Sequence, residues 1–156
     1  MNHHVEALLL AKDMQSELKS LGVLKSESNV ATHEIRLFDK LITNVQLRKK
    51  TEKLFKNGHH AQAVEEAYKL LDNLVKRRAG IADKTGSNLM KTVFSINAPI
   101  LRLNACITAS ERDEQQGYMD IFSGCMMGIR NPRAHESDWE DTEQRALELL
   151  VLANHL

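Results

Sequence analysis

The chain has 156 residues, of which 42% are hydrophobic and 27% are charged. This composition is typical of one folded domain with a sizeable core, and it excludes an intrinsically disordered chain. The 21 basic and 21 acidic residues cancel, which excludes capture of nucleic acid by overall charge and limits any RNA contact to a local patch.

The N-terminal sequence and the cysteines indicate the compartment. The segment "MNHHVEALLLAKDMQ" lacks the basic start and the small-residue cleavage site of a secretory leader. No apolar run approaches the roughly 20 residues that a membrane-spanning helix needs. The two cysteines, Cys106 and Cys125, are not spaced like metal ligands, and two are too few for a disulfide framework. We therefore expect a cytoplasmic protein with reduced thiols, no membrane contact and no metal or other cofactor.

The first third of the chain predicts two helices. Apolar residues at helical spacing indicate one helix from Val5 to Leu21, which Gly22 ends. The polar stretch "KSESNVATHE" is typical of a linker. A second helix is predicted from Ile35 to Lys56, followed by Asn57-Gly58. This pattern predicts an N-terminal helical segment over residues 1–42 and a helical domain over residues 43–156.

The most regular helical pattern is "HAQAVEEAYKLLDNLVKRRAG". Its apolar residues recur at i, i+3, i+4 and i+7 between Val64 and Val75, and Gly80 follows a basic last turn. A short helix is predicted to begin at Ser87, and a loop surrounds Pro99. The alternating stretch "ILRLNACI" after that proline could be a short extended segment.

The last third predicts two further helices. The helical pattern resumes at Glu111 and runs to Arg130, and Pro132 predicts its end there because proline disfavours helical dihedrals in the residue before it. Ser137 and Glu140 form an S-D-W-E capping box, which predicts the start of the last helix. The chain as a whole is therefore expected to be all-α.

Three glycines lie on one side of the predicted helix before Arg130. Gly117, Gly124 and Gly128 are seven and four residues apart, so they share a narrow stripe at 100° per residue. Glycine costs about 1 kcal/mol relative to alanine in a helix interior, and close approach by another backbone is the physical reason to retain it. The approaching backbone could belong to the same chain or to a second subunit.

Arg130 and His135 flank the predicted break and could project into one space at a helix corner. The guanidinium fork matches phosphate oxygens, and histidine can take or give a proton near neutral pH. RNA carries its own nucleophile, the 2′-hydroxyl, so this pair could cleave RNA without a metal. In the alternative interpretation, Arg130 caps its helix and His135 is a hydrogen-bonded turn residue.

The stretch "GIRNPRAH" (residues 128–135) resembles the R-x(4–6)-H signature of the HEPN superfamily, with the polar Asn131 directly after the arginine. Residues 58–80, 86–95 and 116–136 resemble its Ymh-like branch. The resemblance implies an all-α, HEPN-like helical bundle, here with an extra N-terminal segment, that dimerises around the motif. It also implies that Arg130 holds the scissile phosphate, His135 transfers protons and Asn131 orients the phosphate or the imidazole.

Catalytic members of the superfamily are metal-independent endoribonucleases of toxin–antitoxin, abortive-infection and other antiviral defence systems. For this chain the resemblance implies transesterification by the 2′-hydroxyl at a composite site in a dimer cleft, which leaves a 2′,3′-cyclic phosphate and a 5′-hydroxyl. The implied partners are RNA, a second copy of the chain, and an antitoxin or other defence protein. The alternative is a non-catalytic HEPN-like module that binds RNA or protein.

We consider four other features as possible parts of such a site. Arg133 lies inside the motif and is the best additional phosphate contact. Trp139 could stack on a base or pack the last helix against the motif. His59-His60 has no third ligand at a suitable spacing, so we expect it to be exposed and free of metal. The basic clusters at 48–53 and 76–78 are typical of solvated helix faces, although they could contact phosphates.

Overall fold

The computed structural model describes the backbone of residues 27–156 and the side chains from residue 33 onward. Over this part the chain forms helices joined by turns and loops, and it contains no strand. The prediction of an all-α fold is therefore confirmed for the described residues. The predicted helix from Val5 to Leu21 and its terminating Gly22 lie outside them.

The helices are named here in chain order. An additional π-helical turn, Met126–Arg130, joins the fifth helix to the sixth. The α-helices are α1 Glu27–Leu41, α2 Val45–Lys56, α3 His60–Ala79, α4 Gly86–Val93, α5 Ala109–Cys125, α6 Asn131–His135 and α7 Glu143–His155.

The chain divides into two compact units, Met1–Leu37 and Phe38–Leu156, with the division inside α1. The described end of the first unit is helical from Glu27, so the predicted linker over residues 25–34 is wrong for that part. Polar composition alone does not prevent a helix when proline and glycine are absent. The second unit contains α2 to α7 and the motif residues.

The single helix predicted from Ile35 to Lys56 is in fact interrupted at residues 42–44. Asn44 caps α2, because its Oδ1 accepts hydrogen bonds from the backbone N–H groups of Gln46 and Leu47. The Asn154 side chain accepts from the backbone N–H groups at the same break. A cap and a distant partner thus satisfy the backbone where the helix stops.

Helix α3 is the central element and packs against α2, α4, α6, α7 and the π-helical turn. Its periodic apolar residues are buried, among them Val64, Tyr68, Leu71 and Val75. Burial of one such aliphatic side chain contributes about 1.5–3 kcal/mol. Gly80 follows in the left-handed conformation at φ +67°. Both the helix and its glycine end were predicted and are confirmed.

The carboxylate of Asp72, on α3, fixes the start of α4 to α3. The Asp72 side chain accepts a hydrogen bond from the backbone N–H of Gly86 at 2.7 Å and one from the Thr85 hydroxyl at 2.8 Å. Lys76 Nζ lies 3.2 Å from the same carboxylate. Asp72, which lies on α3, therefore caps the N-terminus of α4. Helix α4 begins at Gly86, one residue before the predicted start at Ser87.

The loop between α4 and α5 is held by one buried amide. Gln115 donates from Nε2 to the carbonyls of Phe94 and Leu101, both at 3.0 Å, and its Oε1 accepts from the N–H of Leu103 at 2.9 Å. The predicted extended segment over residues 100–107 is accordingly a loop and forms no strand. Its backbone groups pair with a side chain and not with a second strand.

We expect Gln115→Leu to lower the free energy of unfolding by about 1–3 kcal/mol, because it leaves the N–H of Leu103 and two carbonyls without their partner. Urea denaturation measures the change. The exposed Gln144 supplies the control, since Gln144→Leu removes only a surface amide. Equal stability of the two variants would contradict the role given to Gln115.

The helix before the motif does not end at Arg130, as predicted, but continues through Pro132 to His135. The backbone N–H of Asn131 bonds to the carbonyl of Met126, five residues earlier, in π-helical register. Helix α6 then starts at Asn131, so Pro132 lies in its first turn. A proline is tolerated in a first turn because its fixed φ suits the helix and the α-helical hydrogen bonds that begin there do not require its N–H.

The last helix starts later than the predicted capping box. Thr142 caps α7 by accepting a hydrogen bond from the N–H of Arg145, and α7 begins at Glu143. The hydroxyl of Ser137 instead donates to the Asp138 carboxylate. Residues 136–142 therefore form a loop between α6 and α7.

Candidate functional site

The three residues with predicted catalytic roles lie on one short stretch of helix. Arg130 ends the π-helical turn, Asn131 begins α6 and His135 ends it. Arg130 is half-buried and its Nη1 donates to Asn131 Oδ1 at 3.2 Å. His135 is exposed. Apart from the Arg130–Asn131 bond, none of the three side chains forms a hydrogen bond or ion pair with the described residues.

Within one chain the structure does not bring Arg130 and His135 to a common point. The predicted corner is absent, because α6 joins the two residues without a break. Residues five positions apart on an α-helix are separated by about 140° around its axis. The two side chains therefore leave the helix on different sides. Asn131 lies beside Arg130 and orients the guanidinium within this subunit.

Arg133 is where the structure differs most from the predicted site. Its side chain is buried and forms a bidentate pair with Asp141, with both N···O distances at 2.6 Å. Its third donor bonds to the carbonyl of Ile129 in the π-helical turn, at 2.6 Å. Each of the three guanidinium nitrogens thus has a partner, and only 1% of the side-chain surface is accessible, so the group is not available to a phosphate. The prediction that Arg133 contacts RNA is therefore corrected: this residue ties the motif helix to the loop before α7.

Trp139 packs on this buried pair. The Arg133 guanidinium carbon lies 5.5 Å from the centre of the indole ring, a distance at which a cation is attracted to the ring face. Of the two predicted roles for Trp139, packing against the motif is the one that the structure shows. Asp141 and Trp139 were not predicted as partners of Arg133, since only the loop conformation brings them together.

A groove of about 350 Å³ lies beside His135. Its walls come from the start of α3, with Gln62 and Glu65, and from residues 133–139. Two carboxylates, Glu65 and Glu136, line it. Among the described residues no group of three potential ligands could hold a metal ion. The groove is therefore polar and partly acidic.

The histidine pair predicted to be free of metal lies at the start of α3. His59 is exposed, and the ring of His60 is 5.3 Å from that of Phe55, at an angle of 57°. His60 thus packs against the aromatic core between α2 and α3. The side chain of His59 has no hydrogen bond or ion pair with the described part of the chain, and its backbone bonds to Leu54 and Ala63.

The glycine stripe of α5 faces open space. A Cβ added at Gly117, Gly124 or Gly128 would meet no other atom within 4 Å. No other part of the described chain therefore packs closely on the stripe, and of the two predicted partners the chain itself is excluded over these residues. Ile121 and Met127 are also exposed near it, with 44% and 56% of their surface accessible. This open face, comprising the three glycines, Ile121 and Met127, leads along the helix to the motif.

Three comparisons bear on the relationship of this chain to known proteins. Residues 42–156 match the profile of one family, described as "Protein of unknown function (Hypoth_ymh)". No curated protein and no solved structure matches the chain. The matched region contains α2 to α7 and includes Arg130, Asn131 and His135. Separately, no helix in residues 27–156 has the length and apolarity for crossing a membrane.

Proposed function

Because the chain belongs to the Hypoth_ymh family, whose function is unknown, we propose a function from its own residues: a metal-independent endoribonuclease with a HEPN-like site. One observation carries this proposal. Within six residues of the chain, Arg133 is buried with a partner on each guanidinium nitrogen, whereas among the described residues the exposed His135 side chain has no hydrogen-bond or ion-pair partner and the Arg130 side chain bonds only to Asn131. A structural role explains Arg133 and leaves Arg130 and His135 available for a ligand.

The two residues suit transesterification of RNA. Arg130 binds the scissile phosphate and stabilises the negative charge that accumulates on it. A His135 imidazole accepts the proton of the 2′-hydroxyl as its oxygen attacks phosphorus. A bond forms between O2′ and phosphorus, the bond between phosphorus and O5′ breaks, and the leaving oxygen receives a proton. The products are a 2′,3′-cyclic phosphate and a 5′-hydroxyl, and DNA has no equivalent nucleophile.

The π-helical turn supports a functional role for this segment. Single π-helical turns within α-helices occur frequently at functional sites, although they are rare elsewhere. Here the turn ends at Arg130, and Arg133 stabilises it by donating to the carbonyl of Ile129. The turn changes the direction in which Arg130 and Asn131 leave the helix relative to α5. We infer that the Arg133–Asp141 pair maintains this direction.

The 140° separation of Arg130 and His135 leads to a composite site in a dimer. Two copies that pack through the open face of α5 form a twofold interface, and the glycines permit close approach of the two backbones. In this arrangement Arg130 of one subunit and His135 of the other act on the same phosphate. The interface also covers Ile121 and Met127, which are exposed in the single chain.

Mixing two inactive variants tests the composite site. In a random mixture of Arg130→Ala and His135→Ala chains, half of the dimers contain one of each, and each mixed dimer retains one of its two sites. The mixture should therefore recover about one quarter of the wild-type cleavage rate. Subunit exchange is verified with differently tagged chains. If both residues act within one subunit, no mixed dimer has a complete pair and the mixture stays inactive.

The open face of α5 gives a second test of the dimer. We expect Gly124→Leu to shift the protein from dimer to monomer, because the added side chain blocks backbone approach. The variant should remain folded, since open space surrounds this position within the chain. Analytical ultracentrifugation measures the assembly, and Asn73→Leu on the exposed side of α3 is the matched control. A Gly124→Leu protein that dimerises like wild type would place the interface elsewhere.

The biological setting follows from the same proposal. We propose a cytoplasmic ribonuclease of a toxin–antitoxin, abortive-infection or other antiviral defence system, regulated by an antitoxin or another defence protein. The absence of net charge weakens long-range attraction of RNA. A structured RNA target or an activating partner would compensate for this weak attraction.

The acidic groove beside His135 favours a second candidate function. Glu65 and Glu136 line the groove, and carboxylates repel the RNA backbone. Glu65 pairs with Lys69 Nζ at 2.9 Å, so Glu136 contributes most of the negative charge. This charge suits a non-catalytic HEPN-like module that binds a basic protein surface through the same end of the molecule. Such a module has no cleavage to lose when His135 is replaced, and Glu136→Gln would weaken its binding.

A further inference from the structure

The Phe38–Leu156 unit contains a second concave site, on a different side of α3 from the groove beside His135. This apolar pocket has a volume of about 280 Å³. Leu71 and Val75 of α3 line it together with Phe94 and Phe122, whose rings stack at 4.7 Å. Side chains from the loop after α4 and from the end of α7 complete the walls. The lining is thus mostly apolar and comes from several elements, as is typical of ligand sites.

The two charged side chains that line this pocket are both basic. Arg78 and Arg102 line the pocket, are exposed, and form no hydrogen bond or ion pair with the described residues. None of the lining side chains is acidic. On the side of the pocket formed by α7, Asn154 Oδ1 accepts hydrogen bonds from the backbone N–H groups of residues 43 and 44, which fixes the position of that side chain. An apolar interior with two free guanidinium groups suits a ligand that has an apolar body and an anionic head.

We propose that this pocket binds a small amphipathic organic anion. A cavity of about 150 Å³ holds one benzene molecule, so a pocket of 280 Å³ accepts an apolar group about twice as large. A single aliphatic chain of about eight carbons or a fused aromatic pair has this size. Its carboxylate, sulfonate or phosphate lies between Arg78 and Arg102, which can form charge-assisted hydrogen bonds with it.

The pocket is separate from the motif. The two sites share no lining residue: along α3 the groove beside His135 extends to Glu65 and the apolar pocket begins at Ala67. Residues two positions apart on an α-helix are separated by about 160° around its axis, so the two sites lie on different sides of α3. The pocket therefore shares no residue with the proposed ribonuclease site. The proposal of a ligand in this pocket does not depend on whether the chain cleaves RNA.

Titration with octanoate and with 1-octanol tests the proposal. The full-length protein is followed by calorimetry and by the methyl NMR signals of Leu71, Leu74 and Leu101. We expect octanoate to bind with a Kd of about 0.1–1 mM. The double variant Arg78→Gln/Arg102→Gln should bind octanoate about three- to tenfold more weakly and 1-octanol unchanged. Arg77→Gln is the matched control, because Arg77 is exposed on the same helix and does not line the pocket.

A pocket-filling variant, Leu74→Trp, should abolish binding of both probes. Three results would overturn the proposal: no octanoate binding, binding that Arg77→Gln weakens as much as the double variant does, or equal affinities of octanoate and 1-octanol. Binding of a short peptide of glutamate and leucine without binding of octanoate would also overturn it, and would identify the pocket as a protein-docking site.

Discussion

Replacing His135 with alanine is expected to reduce RNA cleavage by about 100-fold or more, which is the contribution of a positioned acid–base group. The fold and the assembly should be unchanged. The His135 side chain is exposed and has no hydrogen bond or ion pair with the described residues, and surface changes of this kind alter stability by less than about 0.5 kcal/mol. The measurement is the cleavage rate at matched protein concentration.

His59→Ala is the control for this experiment. The His59 side chain is also exposed and likewise has no hydrogen bond or ion pair with the described residues, so its loss changes the histidine content and leaves the proposed site intact. It should cleave RNA like wild type. Equal rates for wild type and His135→Ala would contradict the proposal and would indicate a different site or a contaminating ribonuclease.

Replacing Arg133 with alanine is expected to lower the free energy of unfolding by about 3–5 kcal/mol. The change leaves the Asp141 carboxylate without its bidentate partner, and the Asp141 side chain has no accessible surface. Breaking a buried ion pair costs this much because the remaining charge stays in a medium of low dielectric constant. Arg145 Nε also lies 3.6 Å from Asp141 Oδ1, but its side chain is 60% exposed and an exposed pair of this kind compensates little. A domain of ordinary stability, about 5–15 kcal/mol, loses a large share of it. Urea denaturation monitored by circular dichroism measures the loss.

Two variants make this prediction specific to the pair. Arg130→Ala removes an arginine three residues away that has no acidic partner, and it should leave stability within about 0.5 kcal/mol of wild type. The double variant Arg133→Met/Asp141→Leu should recover most of the loss, because no charge remains buried. A stable Arg133→Ala protein that binds RNA weakly would instead support the predicted phosphate contact.

The sequence pattern correctly predicted those helices and loops that are specified by residues within the element itself. The apolar period of α3 identifies its buried face, and Gly80 marks its end because an unstrained left-handed residue is needed there. The short α4 and the loop around Pro99 were predicted for similar reasons. Each of these signals lies within a few residues of the structure that it specifies.

The elements that were mispredicted depend on distant or competing partners. Pro132 is a strong helix-breaking signal, but the π-helical turn before it shifts the register so that the proline falls in a first turn. The predicted cap, Ser137, and the observed cap, Thr142, both carry a hydroxyl, and the Arg133–Asp141 pair holds the loop between them. Pattern alone cannot choose between such caps when a tertiary ion pair decides.

The identity of the candidate site residues stays a prediction, whereas the predicted corner between Arg130 and His135 is wrong. Spacing and resemblance pointed to Arg130, Asn131 and His135, and the structure leaves Arg130 and His135 without charged partners among the described residues. It also shows that α6 is continuous, so the two side chains diverge within one subunit. Asp72 and Gln115, which position α4 and the following loop, carried no local signal, because their partners lie on other elements.

The most direct test of the proposed function is RNA cleavage in excess EDTA with analysis of the product ends. We expect the wild-type protein to cleave RNA under these conditions and to leave 2′,3′-cyclic phosphate and 5′-hydroxyl ends. An otherwise identical RNA with a 2′-deoxy nucleotide at the cleaved position should resist cleavage there. Cleavage that stops in EDTA, or products with 5′-phosphate ends, would contradict a metal-independent reaction of the 2′-hydroxyl at Arg130 and His135.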